Sequence, residues 1–89
     1  MVRVSFTANL RRHVACEPRE VSPGSLREVL DRALAEDDPL RGYVVDERGL
    51  LRKHITVFIG EDAVRDRATL SDPVADGADV WVMQALSGG

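Results

Sequence analysis

The stretch Ser22-Pro23-Gly24-Ser25-Leu26-Arg27-Glu28-Val29-Leu30-Asp31-Arg32-Ala33-Leu34-Ala35-Glu36 decides how the rest of the chain is read. Leu26, Val29, Leu30, Ala33 and Leu34 recur at helical spacing and would form one apolar stripe. Ser25 followed three places on by Glu28 is the signature of a capping box, in which each side chain satisfies a free backbone N–H of the other. Asp37, Asp38 and Pro39 follow, and proline cannot donate to a helix ladder. A helix from about Ser25 to Glu36 is therefore expected, with one face available to cover a sheet.

The strands lie on either side of it. Upstream, Val2-Arg3-Val4-Ser5-Phe6-Thr7-Ala8 alternates apolar and polar residues, placing Val2, Val4, Phe6 and Ala8 on one face of a strand. The segment from Val14 to Val21 can return beside it, with Pro18 favouring an edge position. Downstream, Tyr43 onward reads as strand, turn and strand: Asp46 to Gly49 has turn composition, and Ile55, Val57 and Ile59 alternate with Thr56 and Phe58. The polar stretch containing Pro73 and Gly77 is expected to be a loop or short helical turn anchored by Leu70 and Val74. A last strand is expected from Val80 to about Leu86.

This order of hairpin, helix, two strands, loop and strand is α+β. The right-handed preference of crossovers brings the last strand beside the first and parallel to it. The expected architecture is a ubiquitin-like β-grasp, a mixed sheet of four to five strands with one main helix packed on one face. Residues 1–86 would form the domain and residues 87–89 a flexible Ser-Gly-Gly tail.

Composition narrows the function. The 89 residues leave room for one small domain and argue against a deep pocket, while 44% apolar and 30% charged residues suit a folded chain. Twelve basic against fifteen acidic residues give a net charge of −3, a poor basis for gripping nucleic acid. No signal peptide or membrane-length apolar run stands out, so no membrane role and a cytoplasmic location are expected. The single cysteine, Cys16, cannot form an internal disulfide, and with His13 and His54 it lacks metal-ligand spacing. Cys16 reads as a small buried hydrophobe, His13 and His54 as inert positions, and Glu61-Asp62 as a solvated turn. No catalytic residue set and no bound cofactor or metal are expected.

The final residues have different chemistry. Gly88 and Gly89 lack Cβ atoms, so they can thread a narrow channel and let a nucleophile approach the last carbonyl. A terminal carboxylate is ionised at neutral pH and is a poor electrophile until it acquires a leaving group, which ATP can supply as an acyl-adenylate. Terminal glycines can also be a frayed end.

With the β-grasp order, "KHITVFIGEDAVR" (53–65), "DPVADGADVWVM" (72–83) and the closing Gly88-Gly89 resemble the ThiS/MoaD family of sulfur-carrier proteins over essentially the whole chain. Within the family, "LRKHITVFIGEDAVR" and the length are most similar to the carrier used in cysteine biosynthesis. The small subunit of molybdopterin synthase is the next most similar. The resemblance implies that a ubiquitin-activating-type adenylyltransferase uses ATP and Mg2+ to adenylate Gly89. A sulfur donor protein then converts it to a thiocarboxylate, which a sulfur-accepting synthase uses, so the chain is a protein co-substrate rather than an enzyme. Many relatives carry a proline where Gln84-Ala85-Leu86 stand, which implies a less stiff tail here. The alternative class is a ubiquitin-like modifier joined to lysines through Gly89, and a further one is a binding module with an incidental tail.

Strand alternation adds a recognition surface. If Val80 and Val82 face the helix, then Trp81 and Met83, joined by Phe58, lie on the opposite side as a partner-binding patch. Leu86, Ser87 and Gly88 would guide the tail into a partner active site, with Arg11 and Arg12 as rim contacts or a solvated turn.

Overall fold

The computed structural model describes residues 1–6, 17–35 and 39–84. Strand β1 spans Val2–Phe6, β2 Arg19–Val21 and β3 Gly24–Ser25; helix α1 spans Leu26–Ala33 and α2 Pro39–Val44; β4 spans Ile55–Ile59, β5 Asp62–Ala63, β6 Pro73–Val74 and β7 Asp79–Gln84. Five strands form one sheet in the order β2-β1-β7-β4-β5, and β3 and β6 pair separately as a two-stranded sheet. The β1–β7 pair is parallel, with Arg3 opposite Asp79, Val4 opposite Val80, Ser5 opposite Trp81 and Phe6 opposite Val82. β4 is antiparallel to β7 from Ile55 opposite Gln84 to Ile59 opposite Val80. This mixed sheet with one main helix is the α+β, β-grasp arrangement expected from the sequence.

The inner face is built from the predicted alternation. Val2, Val4, Val57, Ile55, Val80 and Val82 are fully buried, and they join Leu26, Val29, Leu30, Ala33 and Leu34 of the helix region in one core cluster. Branched side chains suit this role because they lose little freedom on a pleated surface. Val21 pairs with Val2 at the sheet edge, as the edge reading of the second strand required. The expected strand is shorter than Val14 to Val21: Glu17 and Pro18 are not part of it, since proline has no N–H to give the ladder, while Val14 to Cys16 lie outside the described residues, as do Thr7 and Ala8.

Helix α1 starts where the capping box places it. The Glu28 N–H donates to Ser25 Oγ at 3.2 Å and the Ser25 N–H donates to Glu28 Oε1 at 3.0 Å. The bond from the Ser25 backbone, followed by the Ser25 side chain and Arg32, lowers the Glu28 carboxyl from its ordinary value. The helix ends earlier than expected, at Ala33 rather than Glu36, with Leu34 already extended. Arg19 Nη1 donates to the Ala33 carbonyl and Arg41 Nη1 to the Leu34 carbonyl, both at 2.6 Å. These guanidiniums satisfy carbonyls that further helical turns would otherwise occupy.

A further expectation is corrected. Tyr43 and Val44 are not strand but the end of α2, and Val45 makes only an isolated bridge to Leu51. Proline has no N–H to lose at a first helical position, and Leu40 and Val44, four residues apart, bury fully on one side. The Asp46–Gly49 turn is as expected: Asp46 Oδ1 accepts from the Arg48 and Leu50 N–H groups, and Gly49 takes the positive φ of 82° that the turn needs.

The segment between β5 and β6 is held by two aspartates. Asp72 accepts from the Arg65 and Asp66 N–H groups, both at 2.9 Å. Asp66 accepts from the Ser71 and Thr69 hydroxyls and from the Ala68 and Thr69 N–H groups. The Ser71 and Thr69 hydroxyls dominate in holding the Asp66 carboxyl well below the usual carboxylate range. Leu70 is fully buried and Val74 nearly so, the anchors expected from the sequence, although Leu70 adopts an unusual φ of 56°.

Because the pKa values of Asp66 and Glu28 are lower in the folded than in the unfolded chain, their stabilisation is present at neutral pH and lost as pH falls. Urea midpoints should be level down to about pH 5 and decline below about pH 4. Asp66→Asn should lower the midpoint at pH 7 and flatten that decline. In the core, Leu30→Ala should cost about 2–5 kcal/mol by the same measurement.

Candidate functional site

The outer face of the sheet follows from the same period-two pattern. Because Val80 and Val82 are fully buried on the inner side, Trp81 and Met83 emerge on the outer one; Trp81 is 42% exposed and Met83 is half-buried. Phe58, also half-buried, stands directly opposite Trp81, and Thr56 stands opposite Met83. Opposed positions on an antiparallel pair bring Cβ atoms within about 5 Å, so Phe58 and Trp81 are cross-strand neighbours on the outer face. The structure therefore brings the three sequence-selected residues Phe58, Trp81 and Met83 onto one strip. Ser5, in register with Trp81 on the parallel side, is buried beside it.

The strip has a direction. At the start of β7 it gives way to charge, with exposed Arg3 opposite Asp79 and exposed Glu20 opposite Arg3. At the other end β7 reaches Gln84, which pairs with Ile55, and the chain continues into residues 85–89. An apolar strip with a polar border leading to the tail root is a surface suited to contact with another protein. Leu86, Ser87, Gly88 and Gly89 lie outside the described residues, as do Arg11, Arg12, His13 and Cys16.

The base of the strip is fixed on both sides. β7 is central in the sheet, and beyond its strand register the Arg3 N–H donates to the Ala78 carbonyl at 3.1 Å and the Gly77 N–H to the Met1 carbonyl at 3.0 Å. The Met1 amine also pairs with Asp76, and this ammonium, by hydrogen bond and charge, lowers the Asp76 carboxyl. This anchorage lies at the end of β7 remote from Gln84.

The remaining candidates are scattered. Glu61 is exposed in the β4–β5 turn, but Asp62, expected in that turn, is the exposed first residue of β5 and pairs with Ile59; His54 is exposed just before β4. Among the described residues no three His, Cys, Asp or Glu side chains are grouped to hold a metal ion. One open depression of about 220 Å³ is lined by Ile59, Asp62, Ala63, Arg65, Asp72 and Pro73, a set with no nucleophile paired to a base. Among the described residues no helix is long and apolar enough to cross a membrane. Sequence reasoning did not find α2 or the β3–β6 pair; Pro39 with Leu40 and Val44 four apart was the available signal for the former.

No protein-family profile matches the chain, and no curated protein matches it by sequence. Solved structures do. A chain of the BexX/CysO complex from Amycolatopsis orientalis is 27% identical with a TM-score of 0.79, and the match covers 100% of both chains. CysO from Mycobacterium tuberculosis is 24% identical with a TM-score of 0.77, covering 97% of this chain and 100% of that one. SAMP1 from Haloferax volcanii is 24% identical with a TM-score of 0.72, covering 99% and 98%. These neighbours match the family resemblance drawn from the sequence.

The two faces of β7 should respond differently to truncation. Val82→Ala should cost about 1–3 kcal/mol in urea denaturation. Trp81→Ala and Met83→Ala should each cost under about 1.5 kcal/mol, because their side chains are not enclosed.

Proposed function

We infer that this ubiquitin-like chain, whose solved neighbours are CysO and SAMP1 proteins, is a sulfur carrier and that Gly89 bears the sulfur. A ubiquitin-activating-type adenylyltransferase holding ATP and Mg2+ directs a Gly89 carboxylate oxygen onto the α-phosphorus, and pyrophosphate leaves. Sulfide-level sulfur (HS−) delivered by a sulfur donor protein then attacks the resulting acyl carbon, a C–S bond forms as AMP leaves, and loss of the S–H proton to solvent leaves a thiocarboxylate. An accepting synthase uses that sulfur to make cysteine or a related sulfur metabolite. On this reading the chain supplies the reactive end and a shape by which it is held, while the catalytic side chains belong to its partners.

The observation that carries the reading is the end-to-end likeness to a chain crystallised in the BexX/CysO complex, a structure in which a second protein is named beside CysO. The strip of Phe58, Trp81 and Met83 supports it, because it runs on the outer face toward the strand end from which residues 85–89 continue. The small subunit of a molybdopterin synthase would use the same terminal chemistry with a different acceptor. The modifier reading has its own support in the likeness to SAMP1, also described as small archaeal modifier protein 1. In that case a target lysine attacks activated Gly89 and an isopeptide forms.

Intact-mass analysis after incubation with the activating enzyme, ATP and sulfur donor distinguishes these fates. Replacement of one terminal oxygen by sulfur is expected, and lysine-linked adducts to other proteins would instead establish the modifier. Removal of Gly88 and Gly89 should abolish adenylation without changing the urea midpoint. Trp81→Ala should raise the concentration of carrier needed for half-maximal adenylation by about 10- to 30-fold, equivalent to about 1.4–2 kcal/mol of contact. Unaltered affinity in both Trp81→Ala and Phe58→Ala would remove the strip from the recognition surface.

A further inference from the structure

The chain contains eleven arginines but a single lysine, Lys53. An activated acyl group at Gly89 is open to attack by amines, and this chain has only two, Lys53 Nζ and the Met1 α-amine. The fold places them at opposite ends of the sheet.

Lys53 lies two residues before Ile55, and Ile55 pairs with Gln84 at the last position of β7. Since β4 and β7 are antiparallel, the last position of β7 lies beside the end of β4 at which Lys53 stands. Two residues of chain separate the Cα atoms of Lys53 and Ile55 by at most about 7 Å. Lys53 is exposed, and it makes no hydrogen bond or ion pair among the described residues. Met1 is at the far end. Its carbonyl accepts from Gly77, seven residues before Gln84, and its amine is paired with Asp76. In the parallel register Arg3 is level with Asp79, and Met1 lies two residues before Arg3, so Met1 is about seven residue rises, or about 23 Å, from the level of Gln84, whereas the five residues 85–89 span at most about 17–18 Å fully extended. Five residues are therefore enough to span the distance from Gln84 to Lys53 and too few to span that from Gln84 to Met1.

We propose that Lys53 is an intramolecular acylation site, whose amine captures the activated Gly89 acyl group and closes residues 53–89 into an isopeptide-linked ring. The inference rests on Gly89 being the activated residue. In the step, unprotonated Lys53 Nζ attacks the Gly89 carbonyl carbon and a C–N bond forms. The bond from that carbon to its leaving group breaks: AMP departs from an adenylate, or a thiol from a thioester. The nitrogen gives up its extra proton to the thiolate or to solvent. No oxidant or reductant is needed. The ring has no free carboxylate at Gly89, so the reaction withdraws the molecule from any further cycle of activation. A partner that threads the tail into its own channel holds Gly89 away from Lys53 and suppresses closure.

A short tether gives an effective concentration in the millimolar range, so closure outpaces transfer between molecules at tens of micromolar protein by roughly 100-fold. The test uses the 89-residue chain bearing a C-terminal alkyl thioester, prepared by thiol cleavage of an intein fusion, which makes it independent of any activating enzyme. Expected is a monomeric product lighter than the hydrolysed acid by one water, with Lys53 joined to Gly89 in the digest. Its rate should not depend on protein concentration. Lys53→Arg, which keeps the charge and alters an exposed position, should yield only the hydrolysed acid. A ring that persists in Lys53→Arg, linkage at Met1, hydrolysis alone in the unmodified sequence, or dimers as the main product would each overturn the proposal. A separate adenylation assay keeps the two readings apart. Failure there with ring formation from the thioester removes the carrier function and leaves the reach of Gly89 to Lys53 standing, while adenylation without ring formation does the reverse.

Discussion

The parallel pairing of β1 with β7 is the constraint on which the other features rest. Two strands that run in the same direction cannot be joined by a tight turn, so everything between them must form a crossover. Here that crossover carries α1, α2, β4 and the segment of residues 60–78 with β5 and β6, and α1 must pack on the face it crosses. The pairing also makes β7 central, with β1 on one side and β4 on the other, so the residues preceding the tail have backbone partners on both edges. The tail thus begins from one of the best-anchored strands of the molecule.

A single strand can serve two purposes because consecutive side chains point to opposite faces. Val80 and Val82 hold the core while Trp81 and Met83 remain available outside, and the two sets can change almost independently. The same separation applies to charge. Guanidiniums of Arg19 and Arg41 take up the carbonyls at the end of α1, and Asp66 and Asp72 organise the loop before β6. Neither group lies on the aromatic strip. Polar groups here mostly satisfy backbone atoms, which costs less than leaving those atoms unpaired near a small core.

This arrangement suits a molecule whose proposed chemistry occurs at a chain end. A chain of this size has little interior to spare for a catalytic cavity. It can instead present a firm face beside a side-chain-free terminus and leave activation to larger partners. The fold then has two tasks, to give those partners a recognisable surface and to set which of its own groups Gly89 can meet. The antiparallel register of β4 with β7 governs the second, since it places Lys53 near the tail root and leaves Met1 at the far end.

The main elements could be read from the chain because each depends on local periodicity or local hydrogen bonding. Val2 to Phe6 and Ile55 to Ile59 alternate, Ser25 and Glu28 reach each other within one turn, and Asp46 to Gly49 closes on itself. Where those signals failed, distant groups intervened. Arg19 and Arg41 ended α1 early, and burial of Leu40 and Val44 against the core turned a strand-like sequence into α2. The outward placement of Phe58, Trp81 and Met83 was legible once the valines were assigned to the core. By contrast, the nearness of Lys53 to the end of β7 belongs to the tertiary structure alone. The sequence by itself determined which residues seek an apolar face and which cap a turn, because those preferences act over a few bonds. Only the folded chain decided which residues meet across strands, because register arises from closing long loops onto a shared core.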